Sequence, residues 1–156
     1  MSLRSAIPAT FTIERRYPVP QARVFACWAS VAAKQRWAFC DESWKPALHE
    51  MEFRVGGRER IVTGPAGSTK HIFNGVFLDV VPDERIIFAY DMHLDARCIS
   101  VSLTTIEFVR EADGTLMRFT EQGVFLDGYD DIKGREEGTA IGLDNLDRML
   151  GLRAAA

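Results

Sequence analysis

The chain has 156 residues, 47% of them hydrophobic, with a formal net charge of -3, which is enough apolar material for one domain to build a core without structural metals or bridges. No block of lysines or arginines offers the electrostatic footprint that nucleic acid or an anionic membrane would need, and no run is apolar for long enough to act as a signal peptide or to insert in a membrane. Three cysteines, Cys27, Cys40 and Cys98, form no CxxC pair, an argument for a reducing, cytoplasmic compartment and against a disulfide framework.

Residues 1–8 read as a tail ahead of a single domain over residues 9–153. From Ala9 to Tyr17, Phe11 and Ile13 alternate with Thr10, Thr12 and Glu14, the pattern of a half-buried strand that Pro18 and Pro20 stop. Proline suits a helix's first turn, and Val24, Phe25 and Trp28 then fall at helical spacing, so Pro20 to Trp28 is expected to be a short helix. A second, about Val31 to Trp37, follows Ser30 as its cap. An aromatic-rich irregular piece with Trp37, Phe39 and Trp44 ends at Pro46.

From His49 the period becomes two. Met51, Phe53 and Val55 alternate with Glu50, Glu52 and Arg54 up to Gly56-Gly57, and Arg58 to Thr63 starts again, a hairpin whose two central glycines can both take positive φ. Gly64 to Ser68 is a turn or loop. Further strands are expected at His71 to Val81, Arg85 to His93, Cys98 to Arg110 and Thr115 to Val124, joined by short polar turns. Runs of strands without intervening helices predict an antiparallel, locally paired sheet.

Gly134 to Leu152 is the one long helix. Leu143, Leu146 and Leu150 form its apolar stripe with Ile141 and Met149 beside it, while Asp144, Asn145, Asp147 and Arg148 fall largely on other sides. Acids at its start suit the macrodipole and Arg135 does not. Gly138 and Gly142 are each unfavourable by up to about 1 kcal/mol relative to alanine; either they let the helix lie close against the sheet or they mark a frayed first turn. The expected fold class is α+β: a curved antiparallel sheet of about seven strands wrapped round the C-terminal helix, with two short helices after the first strand.

The order of elements and several phrases resemble the START-like, or SRPBCC, superfamily with its helix-grip fold, and more narrowly the homologues of the activator of the large heat-shock chaperone's ATPase. The matching phrases are Tyr17 to Phe25, Trp37, Glu52 to Gly57, Phe73 to Phe77, Val81 to Ile86, Thr120 to Gly123 and Leu143 to Leu150. Many relatives carry tryptophan at the position that is Thr139 here. The resemblance implies a cavity between sheet and helix for a small, mostly apolar molecule, used in that superfamily for binding, transport, sensing or catalysis, so the fold alone does not choose the function.

The residues suit such a cavity. Trp28, Trp37, Phe39, Trp44, Phe53, Phe73, Phe77, Phe88, Tyr90 and Phe119 exceed what a small core requires, though core packing would explain each. Phe88, Tyr90 and Met92 share one strand face, towards the terminal helix. Glu121 alternates with Met117 and Phe119, which would turn its carboxylate inward, where it must be hydrogen-bonded, paired or protonated. It could orient a ligand or act as an acid or base with His93 or Tyr90; alternatively it pairs structurally with Arg54, Arg97 or Arg118. His49, His71 and His93 stand singly, with no HExxH, so no metal is expected, and no cofactor. Asp127 to Asp131 reads as a solvated connector that, with Gly64 to Ser68, borders the cavity mouth.

The primary expectation is therefore binding of a small hydrophobic or amphipathic ligand, lipid-, steroid- or polyketide-like, by Trp37, Phe39, Trp44, Phe53, Phe73, Phe88, Tyr90, Met92, Phe119, Glu121 and Leu143. A cyclase- or hydrolase-type enzyme using Glu121 and a cochaperone-like interaction module are the alternatives. A homodimer and a chaperone partner stay open.

Overall fold

Hairpin turns too short to hold a helix connect every strand from Leu48 onward, so each strand folds back on the one before it. The computed structural model describes residues 4–39 and 44–151. Its elements are β1 Ala6–Tyr17, α1 Gln21–Ala26, α2 Val31–Lys34, β2 Leu48–Met51, β3 Arg58–Thr63, β4 His71–Val81, β5 Arg85–Leu94, β6 Arg97–Glu111, β7 Gly114–Leu126 and α3 Ile132–Leu150. All pairings are antiparallel, in the order β1-β7-β6-β5-β4-β3-β2. The curved seven-stranded sheet, two short helices after β1 and the long terminal helix are those expected. No helix among the described residues is long and apolar enough to cross a membrane.

Three boundaries differ for identifiable reasons. β1 begins at Ala6, inside the expected tail, and pairs with β7 from Ala6↔Leu126 to Tyr17↔Thr115. Pro8 does not stop it because β1 is a sheet edge, where a missing N–H costs no ladder bond on the open side. β2 ends at Met51 rather than Val55: the chain leaves the sheet, and the Gly56 N–H donates to the Phe77 carbonyl at 2.8 Å while the Phe77 N–H donates to Gly57 at 2.9 Å. Of these two glycines only Gly56 has positive φ, at 80°. Gly57 is needed for a close approach instead, since a Cβ there would meet the Glu52 carbonyl at 2.0 Å. Finally α3 spans Ile132–Leu150, because the Asp131 side chain accepts from the Gly134 N–H at 3.0 Å and Gly151, at φ 74°, closes the far end. Leu152, Arg153 and Cys40 lie outside the described residues.

The two short helices follow from their caps. Pro20 precedes α1, which buries Val24 and Phe25, and the Ser30 hydroxyl accepts from the Ala33 N–H at 3.1 Å to start α2. Both end earlier than the apolar spacing suggests. The core gathers at one end of the sheet, where Phe11, Ile13, Ile86, Ile106, Phe108 and Met117 meet α1 and the leucine stripe of α3. Leu143 and Leu146 are 1% and 0% exposed, and burial of each leucine is worth about 1.5–3 kcal/mol.

Asp147 is not on the polar side of α3. It stands one turn from both Leu143 and Leu150, is buried, and accepts from the Tyr17 hydroxyl at 2.8 Å and from Arg15 Nε at 3.0 Å; Arg15 also reaches Asp144 at 3.0 Å. Burial, then the neighbouring Asp147 charge, pushes the Tyr17 hydroxyl far above the usual phenol range, so it remains a donor. This tie fastens the helix to the edge strand β1. Tyr17→Phe removes the donor while keeping the ring, and is expected to lower unfolding free energy by about 1–3 kcal/mol. Urea denaturation should show this as a shifted midpoint with unchanged m.

Candidate functional site

The leucines occupy only the C-terminal half of α3, and the other half leaves a space. A cavity of about 620 Å³ lies between the sheet and the helix's N-terminal half. Its floor is Phe73 on β4, Phe88, Tyr90, Met92 and Leu94 on β5, Thr104 on β6, and Phe119, Glu121 and Phe125 on β7. Trp28, Trp37, Ala38, Phe39 and Trp44 form one side. These rings brace each other: Trp28 meets Trp37 at 4.5 Å and Phe73 stacks on Tyr90 at 4.5 Å between centroids. A register shift at Met92/His93 leaves Ile99 without a partner across the ladder, and Ile99 joins the wall.

The roof is made of absent side chains. Gly134, Gly138 and Gly142 recur every fourth residue and all line the cavity, with Arg135, Thr139 and Leu143 beside them. A Cβ on Gly138 would meet nothing within 4 Å, and one on Gly142 would find the Ala38 carbonyl at an ordinary 3.5 Å. These two glycines therefore do not serve close approach to the sheet, nor do they mark a frayed end, since both lie within the continuous helix. They keep the space open.

One polar cluster interrupts the apolar wall. The Glu121 carboxylate, 3% exposed, accepts from the Tyr90 hydroxyl at 2.8 and 2.9 Å, from Ser102 Oγ at 3.0 Å and from Arg135 Nη1 at 3.2 Å. Arg135 Nη1 also donates to the Tyr90 oxygen at 2.9 Å, and Nη2 to Ser100 Oγ at 2.8 Å. Burial, then the Glu121 charge, raises the Tyr90 hydroxyl well above its ordinary value and keeps it a donor. The arginine partner of Glu121 is thus Arg135. Arg54 pairs with Glu52, Arg118 with Glu14 and Glu107, and Arg97 lies over the Tyr129 ring at 4.5 Å.

A second buried pair stands across the sheet. Lys34 Nζ donates to both Glu59 oxygens at 2.7 and 2.9 Å, and His49 Nε2 lies 2.8 Å from Glu59 Oε2. Lys34 and Glu59 line the cavity. Burial alone would push the Glu59 carboxyl up, but the Lys34 charge and the His49 and Lys34 hydrogen bonds outweigh it and hold it below its ordinary 4.5.

Ten of the eleven expected site residues line the cavity: Trp37, Phe39, Trp44, Phe73, Phe88, Tyr90, Met92, Phe119, Glu121 and Leu143. Phe53 does not, because the chain has left β2 before it; its ring lies 5.6 Å from Phe25 and 5.1 Å from Phe77, in the core. His93 does not reach Glu121 either, its Nδ1 facing Asp91 Oδ1 at 3.0 Å. Tyr129 and Asp131 of the connector line the cavity, whereas Gly64 to Ser68 do not and only the adjacent Thr63 does. Among the described residues no three His, Cys, Asp or Glu side chains gather as a metal site would need.

Arg135, Ser100, Ser102, Lys34, Glu59 and His49 are the polar residues that sequence reasoning missed. Arg135 carried a signal: a cation in the first turn opposes the helix dipole, so another partner had to hold it there. The serines alternate with Thr104 on β6, but serine on a strand is too common to single out.

The Lys34 and Glu59 charges are separable by mutation. Glu59→Gln leaves a buried ammonium unpaired and is expected to cost about 3–5 kcal/mol, most of which Lys34→Met with Glu59→Leu should restore. Because Glu59 is depressed on folding, its contribution is present above 4.5 and lost as pH falls through the lower folded value. Urea midpoints measured down the acid range should show this loss in the wild type and not in the double variant.

Comparison with known proteins agrees with this fold. An uncharacterised protein of Rhizobium leguminosarum has a solved structure 46% identical, covering 96% of this chain and 98% of its own, with a TM-score of 0.90. The Mll3558 protein of Rhizobium loti is 42% identical over 94% of this chain and 99% of its own, with a TM-score of 0.87. An AHSA1-like protein from Aeromonas hydrophila shares the fold at 20% identity, over 95% of this chain and 98% of its own, with a TM-score of 0.69. No curated protein matches. The family described as Activator of Hsp90 ATPase homolog 1-like protein matches residues 18–151, and the chain belongs to that family.

Proposed function

We propose that the protein binds a small, largely apolar molecule between its sheet and α3, with the molecule's polar group against Tyr90, Glu121 and Arg135. The observation that carries this reading is the aromatic cavity of about 620 Å³ with one concentrated polar cluster in its wall, the usual composition and size of a small-molecule site. The glycines support it, because helix-destabilising residues that touch nothing are explained by a space that has to stay open.

A cyclase- or hydrolase-type reaction at Glu121 is the second reading, favoured by the inward carboxylate. Against it, Tyr90, Ser102 and Arg135 already donate to this carboxylate, which weakens it as a proton acceptor. The cochaperone-like reading draws on the family description; pull-down from lysate separates it from the other two.

Native mass spectrometry and thermal shift against a lipid, steroid and polyketide-like panel test the binding proposal, and the absence of any binder counts against it. Gly138→Leu is the matched control. It is expected to leave the melting temperature unchanged or raise it by about 2–4 °C, since leucine is the better helix former by up to about 1 kcal/mol. Binders retained by the wild type should be lost, because the new side chain fills the roof.

A further inference from the structure

The charges in the cavity wall cancel in pairs. Arg135 meets Glu121 at 3.2 Å, and Lys34 meets Glu59 at 2.7 Å. Burial, then the nearby Arg135 charge, holds His71 at the wall below its ordinary value, so its ring adds no charge at neutral pH. Asp131 spends its carboxylate on the helix N-terminus. Among the described residues, no cation in the wall lacks a carboxylate.

An anion entering this space would give up its water and find each attractive charge already offset by a repulsive one at hydrogen-bond distance. A neutral acceptor meets a different situation. Glu121 receives hydrogen bonds from Tyr90, Ser102 and Arg135, and the Tyr90 hydroxyl is both donor and acceptor within the cluster. Within the cluster Arg135 has donors left: Nη1 serves Tyr90 and Glu121 and Nη2 serves Ser100, which leaves Nε–H and one Nη2–H without a partner among the described residues, and elsewhere in the wall Trp28 Nε1 and Thr104 Oγ1 are buried without one. A carbonyl oxygen uses those donors and adds no charge.

We infer that the cavity selects uncharged apolar molecules bearing a carbonyl acceptor, held by Arg135, and discriminates against carboxylates of the same length. This rests on the binding reading above and narrows its ligand class. Discrimination arises from the salt bridges themselves: Glu121 cancels the charge that would otherwise make Arg135 an anion receptor.

Methyl dodecanoate, dodecanamide and dodecanoate are suitable matched probes, titrated at neutral pH while following the fluorescence of Trp28, Trp37 and Trp44, all in the cavity wall. The ester and amide should bind at least about tenfold more tightly than the carboxylate. Glu121→Gln, checked for folding by circular dichroism, frees the Arg135 charge and should raise dodecanoate affinity by about tenfold or more. Equal or tighter binding of dodecanoate by the wild type overturns this inference and leaves the binding proposal standing, whether or not the variant folds. If neither neutral probe binds, this inference fails, and the panel described above decides the binding proposal separately.

Discussion

Everything in this molecule depends on how α3 is held by one half only. Leu143, Leu146 and Leu150 press its C-terminal turns into the core, and Asp147 is fastened to Tyr17 and Arg15 of β1. With that end secured, the N-terminal turns need not pack against the sheet. They span a gap, touching the far strands through Arg135 rather than through a hydrophobic face. An interior of ordinary packing density leaves few voids larger than a water molecule, so a space of this size has to be supported, and the buttressed rings of Trp28, Trp37, Phe73 and Tyr90 supply the support.

The placement of charge is unusual for so apolar a space. Two buried ion pairs line it, on β7 and β3, with three strands between them. Such pairs seldom add net stability, because desolvation offsets most of the attraction. What they supply is fixed geometry: each carboxylate receives hydrogen bonds from more than one side chain, so neither arginine nor lysine has freedom to swing. A site built this way orients a polar group without itself carrying net charge.

Much of the fold was legible from alternation and capping residues. The six later strands, the two short helices and the terminal helix all follow from period, proline and N-cap chemistry, which act over a few residues and leave a local imprint. Boundaries slipped where a distant partner decided them. Pro8 was compatible with β1 only because that strand is an edge, and Phe53 left the sheet only because Gly56 and Gly57 dock on Phe77 of β4.

The aromatic and carboxylate residues of the site were readable because strand parity says which side chains share a face. Their partners were not. Glu121 plainly required a counter-charge and Arg135, unfavourable in the first turn of α3, required a partner, yet nothing local says that these two meet. That choice is made when the helix crosses the sheet, and it depends on where the leucine stripe anchors. The glycines of α3 show the same limit, since the sequence marks them as costly and only the assembled fold reveals that they face open space. Sequence by itself determined which segments would be strand or helix and which faces would be apolar, because those are nearest-neighbour properties. Tertiary structure alone decided which charges meet and where packing stops, because both depend on how separate elements cross one another in space.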